Sequence, residues 1–300
     1  MAGVSAFRSD EARAAYCQLY DAALATSPIP LTESDIETSF GRTHVLNAGD
    51  PSKPPLVALH GSSISSTSWV PFLPVLAATH SVTMIDAIDE AGKSVATKPT
   101  GNSAGIVAWL DETLRAVGIE RSAIVAVSRG TWIATHYTMA FPERVDRLAL
   151  VCPAGIVGGL RPSWLVRALT TMAVRPTERR VQSFLDTMVM PTKRRLLREE
   201  PWRPIMQQFI SGAIGFKLAP SNARPNRCDL QRLSSARIPA GDHRQARVNQ
   251  QRPKDGRPLP VATARRTDRA GRRREPYGDG RSNRDRREAA RRLPAVRPRG

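Results

Sequence analysis

The sequence contains few cysteines, few aromatic residues and no long apolar run. Its three cysteines, Cys17, Cys152 and Cys228, are an odd number, lie far apart and lack the C-x-x-C spacing that holds zinc. This pattern excludes a disulfide-stapled miniprotein and indicates a reducing compartment. Residues 1–13 include no apolar run of signal-peptide length, and no later stretch approaches the about 18 apolar residues of a membrane span. We therefore expect a cytoplasmic protein without a membrane partner.

Acidic residues are outnumbered mainly at the end of the chain. The net charge of the 300 residues is +18, which would ordinarily suggest nucleic acid or an anionic membrane surface as a partner. Residues 219–300, however, contain 23 basic residues, 22 of them arginine, and eight acidic ones, a net charge of +15. Residues 1–218 carry a net charge of only +3. The basic character therefore belongs to the last segment.

This last segment also lacks the patterns from which a folded core is built. Residues 219–300 contain no window of four to eight apolar residues, and Tyr277 is their one aromatic residue. A segment of this composition cannot bury enough apolar surface to offset its chain entropy, so we predict an Arg/Pro-rich disordered tail. Its arginines show no helical stripe, and it has no interleaved aromatic residues on which bases could stack. We therefore expect no specific nucleic-acid partner.

The first half of the chain alternates between short apolar runs and helical patterns. This alternation predicts a doubly wound α/β fold with a mostly parallel sheet over residues 1–159, because a parallel crossover needs a dozen or more residues. Apolar residues then recur at helical spacing between prolines, which predicts a helical cap over residues 160–218. The predicted elements are a helix over 11–25, a hairpin of 36–40 and 43–46, strands over 56–59, 82–85, 123–127 and 148–151, and helices over 68–78, 103–117 and from the turn at 128–130 to 141.

Residues 126–130, Ala-Val-Ser-Arg-Gly, lie between a predicted strand and a predicted helix. This junction is typical of a nucleophile elbow of the G-x-S-x-G type, in which a sharp turn projects the serine hydroxyl above the sheet edge. Ala126 replaces the first glycine but is also small. Ser128 is therefore the candidate nucleophile, and the N–H group of the next residue, Arg129, is a candidate oxyanion donor.

With these features, the chain resembles the α/β-hydrolase family over roughly residues 30–217. The resemblance implies an α/β-hydrolase fold, a small-molecule ester substrate, no metal and no organic cofactor, and it indicates Ser62 as the source of the second oxyanion donor. The loop 89–94 is similar to that of carboxylesterase-like bacterial members. The matching residues are Pro55–Ser63 with Trp69, Asp86, Ala126–Gly130, and Phe141–Val145 leading into Leu148–Gly155.

The general base and the acid of a catalytic triad are harder to find. His60 precedes the serine, whereas the family places its triad histidine last, so we interpret His60 as a turn-shaping residue; we interpret Asp86 as a loop anchor rather than the acid. His136 lies about 12 Å along the helix that begins at the elbow, too far from the hydroxyl. The remaining candidates, Asp242 as acid and His243 as base, are weak because no strand-forming run precedes them and an adjacent pair cannot fill both roles in the usual geometry.

The last strands of the family and its late Gly-His loop are not recognisable in the sequence. Arg, Pro, Gly and Ala dominate residues 219–300, and G+C-rich codons yield these residues in any reading frame. We therefore expect an out-of-frame or degenerate hydrolase end, with a natural basic extension as the alternative. The main functional hypothesis is a serine hydrolase of carboxylic esters with impaired activity. The other is a non-enzymatic basic protein whose tail binds nucleic acid electrostatically. The sequence leaves the oligomeric state open.

Overall fold

The computed structural model describes residues 4–153, 162–174 and 176–218. Strands and α-helices alternate through the first 151 residues, and helices dominate the remainder of the described chain. The elements are β1 (Ala6–Phe7), α1 (Asp10–Ala25), β2 (Leu31–Thr38), β3 (Gly41–Ala48), β4 (Pro55–Leu59), α2 (Leu73–Leu76), β5 (Ser81–Ile85), β6 (Val95–Ala96), α3 (Ser103–Ala116), β7 (Ser122–Val127), α4 (Arg129–Ala140), β8 (Val145–Val151), α5 (Pro162–Leu169), α6 (Glu178–Met188), α7 (Trp202–Gly215) and β9 (Phe216–Lys217).

Seven of these strands form one mixed sheet. Its order is β2-β3-β5-β4-β7-β8, with β6 paired to β3. The four strands β5, β4, β7 and β8 are parallel, whereas β3 is antiparallel to β2, β5 and β6. The predicted doubly wound α/β architecture is therefore confirmed, and the carboxyl ends of four neighbouring strands meet at one edge of the sheet.

Helices cover both faces of the sheet. On one face, α3 and α4 bury the predicted stripe of Ile106, Trp109, Leu110 and Leu114, together with Trp132. On the other face, α1 and the residues around α2 form a second core that includes two fully buried tyrosines and a tryptophan: Tyr16, Tyr20 and Trp69. Burial on both faces explains why the central strands read as short, continuous apolar runs.

The hairpin differs from the prediction in its turn. The sequence places the turn at residues 41–42, but β2 ends at Thr38, and Ser39 and Phe40 connect it to β3. Phe40 is buried, and the carboxylate of Glu112 on α3 accepts hydrogen bonds from the N–H and hydroxyl of Ser39. Because these contacts reach a helix that is distant in sequence, local alternation could not locate the turn.

The helix predicted over 68–78 is also different. A 3₁₀-helix spans Ser66–Phe72, and only the four residues of α2 that follow are α-helical. Pro71 and Pro74 lack the N–H groups that a continuous α-helix needs, and this accounts for its interruption.

The described part of the cap is helical. Between α5 and α6 lies a π-helical turn, Thr170–Val174, and a 3₁₀-helix, Pro191–Arg198, leads towards α7. Helix α7 packs on α1, and β9 pairs with β1, so the cap is joined to the start of the chain. No helix in the described residues is long and apolar enough to cross a membrane.

β8 is the last strand of the sheet within the described residues. After the buried Val145, the side chains of β8 alternate from Arg147 onward between exposed and half-buried positions, and Val151 at its end is 45% exposed. The predicted tail, residues 219–300, lies outside the described residues, so the predicted domain boundaries at 159 and 218 stay predictions.

Candidate active site

Ser128 lies in a sharp turn between β7 and α4. Its backbone has φ 51° and ψ −116°, a conformation that residues with a Cβ atom seldom adopt. Its N–H donates to the carbonyl of Val151 at the end of β8 (3.0 Å), and its carbonyl accepts from the N–H of Thr131 (3.0 Å). A strained turn at the point where a strand passes into a helix is the geometry expected of a nucleophile elbow.

Two glycines allow the elbow to approach the end of β4. A Cβ atom added at Gly130 would lie 2.5 Å from the carbonyl oxygen of Leu59 and 2.6 Å from that of His60. A Cβ atom added at Gly61 would lie 3.3 Å from the Cβ atom of Ser128 and 3.9 Å from its Oγ. The segment that follows β4 therefore passes directly beside the serine.

The two candidate oxyanion donors occur in these adjoining segments. Arg129 is the first residue of α4, and the first N–H groups of a helix have no acceptor within it. Ser62 follows Gly61 and therefore lies in the loop that touches Ser128. The structure therefore places the loop that holds Ser62 beside Ser128 and Arg129, while the roles of Ser62 and Arg129 as oxyanion donors stay predictions.

The side chain of Arg129 has a second set of contacts that the sequence analysis missed. Its guanidinium forms an ion pair with Asp89, and its Nε lies 2.8 Å from Oε1 of Glu90. The guanidinium carbon also lies 5.6 Å from the ring centre of Trp132, within cation–π distance. The acidic pair after β5 and the arginine after β7 were visible in the sequence. Only the strand order, which places β4 between β5 and β7, shows that they meet.

Glu90 is buried and has a raised pKa. Its side chain is 1% exposed, and burial raises its pKa to about 7, although the charge of Arg129 opposes the shift. The nearby charge of Asp89 raises the pKa further, whereas hydrogen bonding by the Ser63 N–H and the Ser62 hydroxyl lowers it. The carboxyl of Glu90 therefore titrates near neutral pH.

Asp86, directly after β5, connects two loops at this edge. Its carboxylate accepts hydrogen bonds from the N–H (2.8 Å) and hydroxyl (2.6 Å) of Ser66 and from the N–H of Lys93 (2.8 Å). A Cβ atom at Gly92 would lie 2.7 Å from Oδ2 of Asp86, so the second loop closes tightly on the carboxylate. These contacts match the interpretation of Asp86 as a loop anchor.

His60 is buried, and both of its ring nitrogens are engaged. Nε2 accepts a hydrogen bond from the N–H of Ala87 (2.9 Å), so the proton resides on Nδ1, which donates to the carbonyl of Gly61 (2.7 Å). Burial lowers the pKa of the imidazole and favours this neutral form. His60 therefore shapes the turn after β4, as expected, and has no free nitrogen with which to accept a proton from Ser128.

The other described histidines lie away from the elbow. His136 is two helical turns along α4, where its ring packs on Trp132, and His44 is on β3, three strands from β7. His80 precedes β5, at the opposite edge of the sheet. The remaining candidates for acid and base, Asp242 and His243, lie outside the described residues. Within the described ranges, no group of three or more His, Cys, Asp or Glu side chains is arranged to hold a metal ion.

Comparisons with known proteins agree with this geometry. The chain is 27% identical over 230 aligned residues to an uncharacterized carboxylesterase, nap, of Bacillus subtilis, with 75% of this chain and 73% of that protein covered. It is also 27% identical over 148 residues to carboxylesterase YbfK of the same organism, of which it spans only half. The crystal structure of naproxen esterase (carboxylesterase NP) from Bacillus subtilis superposes with a TM-score of 0.68 at 28% identity, covering 77% of this chain and 79% of that one.

The family match extends across most of the described fold. A family model described as the alpha/beta hydrolase fold matches residues 54–249, which include β4, the elbow, the cap and the first part of the predicted tail with Asp242 and His243. This match covers more than half of the chain, and it agrees with a mixed sheet that carries a strained serine at the carboxyl end of β7. The chain therefore belongs to the alpha/beta hydrolase fold family.

Proposed function

We propose that this protein is a serine hydrolase that acts on small carboxylic esters by nucleophilic acyl transfer. The observation that carries the proposal is the strained Ser128, which directly precedes Arg129 and adjoins the loop that holds Ser62. The carboxylesterase relatives support an ester as the substrate class.

The chemistry follows from these positions. The Oγ atom of Ser128 bonds to the ester carbonyl carbon, and the carbonyl electron pair moves onto oxygen. The N–H groups of Ser62 and Arg129 hold this oxyanion until it collapses and expels the alcohol. Water then hydrolyses the acyl-enzyme. The mechanism needs no metal or organic cofactor.

A base must remove the serine proton, and this requirement sets the expected rate. No described histidine is positioned for the task, which leaves His243. Without a working base, serine hydrolases lose on the order of 10⁴ to 10⁶ in turnover. We therefore expect measurable but very slow hydrolysis by this chain.

The test uses the full chain with a fluorophosphonate probe and with p-nitrophenyl acetate and butyrate. The probe should label the wild type and a control, Ser52→Ala, whose exposed turn lies far from the site, but not Ser128→Ala. Labelling that survives Ser128→Ala would remove the assignment. Rapid turnover that disappears in both Ser128→Ala and His243→Ala would identify His243 as the base and contradict the expected impairment.

The charge of residues 219–300 supports a second candidate function, electrostatic binding of nucleic acid. Unpatterned arginines neutralise phosphates, so such binding should weaken steeply between 50 and 200 mM salt. Comparing duplex DNA binding by the full chain and by residues 1–218 tests this. Binding that persists in the shorter chain, or that selects a sequence at high salt, would contradict a purely electrostatic tail.

A further inference from the structure

Glu90 connects the two backbone segments that carry the candidate oxyanion donors. Its Oε2 accepts a hydrogen bond from the N–H of Ser63 (2.9 Å), and its Oε1 lies 2.8 Å from Nε of Arg129. Ser63 is the residue after Ser62, and Arg129 is the residue after Ser128. One buried carboxylate thus joins the loop after β4 to the first residue of α4.

The loop that Glu90 holds is itself strained. Ser63 has φ 61° and is buried, so this backbone conformation persists only where its surroundings enforce it. Helix α7 also passes close to the carbonyl of Ser63, because a Cβ atom added at Gly212 on this helix would lie 2.9 Å from the carbonyl oxygen. Ser63 is therefore fixed from both sides, by the Glu90 carboxylate at its N–H and by the cap helix at its carbonyl.

Burying a carboxylate costs desolvation free energy, so a purely structural role would not favour one at this position. Replacing a buried ion pair by apolar residues of similar volume is often neutral or stabilising, so the pair is weak evidence for a purely structural role. An ionised acceptor does, however, form a stronger and more directional bond to a backbone N–H than a neutral one. The arrangement suits a group whose task is to fix the direction of a backbone segment.

We propose that Glu90, paired with Arg129, is a positioning residue that orients the Ser62–Ser63 backbone so that the N–H groups of Ser62 and Arg129 converge on one oxyanion. This inference rests on the proposed function of Ser128. Glu90 itself touches no reacting atom.

The proposal implies a pH dependence. Arg129 on α4 faces Glu90, as do Asp89 beside it in the same loop and the Ser62 hydroxyl and Ser63 N–H of the loop after β4. Tyr16 on α1 also faces it, and the pKa of Tyr16 is raised above all by burial and also by the charges of Asp86 and Glu90. Because the Glu90 pKa is about 7, the carboxyl is neutral below that pH and holds the loop less firmly. The reactivity of Ser128 should therefore fall as the pH falls through about 7.

Three variants test this in the full chain, and the first two form a matched pair. Glu90→Gln keeps the size and one acceptor but removes the charge. Glu112→Gln is the matched control. Glu112 also accepts from a backbone N–H (2.7 Å) and a hydroxyl (2.8 Å) of one serine, but that serine, Ser39, is exposed and Glu112 is only half-buried. The measurements are the rate of fluorophosphonate labelling between pH 5.5 and 9, kcat and KM for p-nitrophenyl acetate, and amide exchange of residues 61–64.

For Glu90→Gln we expect at least a tenfold loss of labelling rate at pH 8 and a lower kcat at similar KM. The step near pH 7 in the pH profile of the labelling rate should disappear, and amide exchange at Ser63 should be at least tenfold faster. Glu112→Gln should match the wild type. A third variant, Arg129→Gln, keeps the backbone N–H donor but removes the charge that opposes the raised Glu90 pKa, so the step should move to higher pH. A merely structural role would not move it.

The outcomes separate the two proposals. If Ser128 is never labelled, the proposed function fails, and the exchange measurement alone decides about Glu90. Faster amide exchange at Ser63 in Glu90→Gln but not in Glu112→Gln supports the role of Glu90 as a positioning residue. Equal exchange in both, or a pH step that Glu90→Gln and Arg129→Gln leave in place, overturns it.

Discussion

Asp86 offers a sharp test of how the carboxyl edge of the sheet is held together. Its side chain is fully buried and accepts hydrogen bonds from two backbone N–H groups, those of Ser66 and Lys93, and from the Ser66 hydroxyl. Asp86→Ala leaves both N–H groups without an acceptor, while the Ser66 hydroxyl retains the Tyr20 hydroxyl as a partner (2.9 Å). At about 1–3 kcal/mol for each unpaired buried donor, the variant should lose about 4 kcal/mol of unfolding free energy.

Two further variants are compared with Asp86→Ala for their loss of unfolding free energy. Asp86→Asn keeps an acceptor for Ser66 but turns an NH₂ group towards the Lys93 N–H, so it should lose about 1–3 kcal/mol. Asp50→Ala is the matched control, because Asp50 accepts from the N–H (2.9 Å) and hydroxyl (2.7 Å) of Ser52 in an exposed turn where water can replace it. We expect this control to unfold at the wild-type midpoint within error.

Urea unfolding of the full chain, followed by tryptophan fluorescence at pH 8, measures these differences. The assignment of Asp86 as a loop anchor is refuted if Asp86→Ala shifts the midpoint no more than Asp50→Ala does. It is also refuted if Asp86→Asn keeps wild-type stability but abolishes labelling of Ser128, because Asp86 would then act in the reaction rather than as a loop anchor.

Three other perturbations have expected outcomes. Gly130→Ala should lower the thermal midpoint, because overlap with the Leu59 and His60 carbonyls, at about 1–3 kcal/mol, outweighs the gain of about 1 kcal/mol in helix propensity; a midpoint at or above that of the wild type would contradict this. Gly212→Ala should slow probe labelling of Ser128 because it presses on the Ser63 carbonyl, whereas Gly215→Ala, which meets only the Ala12 side chain (3.1 Å), should not. The folded state raises the Glu90 pKa from 4.5 to about 7, so the contribution of this group to stability is fully present below pH 4.5 and is lost as the pH rises through 7. The unfolding free energy of the wild type, measured relative to that of Glu90→Gln, should therefore fall by roughly 3 kcal/mol over that range. A difference between the two proteins that does not change with pH would refute the assignment.

Local patterns were sufficient to predict the fold class and the position of the elbow. Apolar strands of five to seven residues that alternate with helical patterns specify their own secondary structure, and the strand-to-helix junction at Ser128 follows from the same pattern. The candidate donor Arg129 follows from its place directly after Ser128, and Ser62 is indicated by the resemblance to the α/β-hydrolase family; the carboxyl ends of parallel strands share one edge, which is consistent with both.

Features that depend on contacts between distant residues were not predicted. The turn at Ser39 is set by Glu112 on α3, and the ion-pair cluster requires knowing that β4 lies between β5 and β7. Arg129 illustrates the limit: its backbone role followed from its place next to Ser128, whereas its side-chain role depends on Asp89 and Glu90, about 40 residues earlier in the chain. Spacing along the sequence carries no information about such a meeting.

Backbone strain is concentrated at the carboxyl edge of the sheet. In the described part of the chain, three residues other than glycine have positive φ: Ser63, Ser128 and Cys152. They follow β4, β7 and β8, which are neighbours in the sheet, and the N–H of Ser128 is bonded to Val151, the residue before Cys152. Each such residue costs on the order of 1–3 kcal/mol and persists only where the surrounding contacts enforce it. Strain at three adjacent strand ends is not required to build an α/β sheet. It is the arrangement expected where backbone groups are aimed at a ligand, as the proposed role of Ser128 requires.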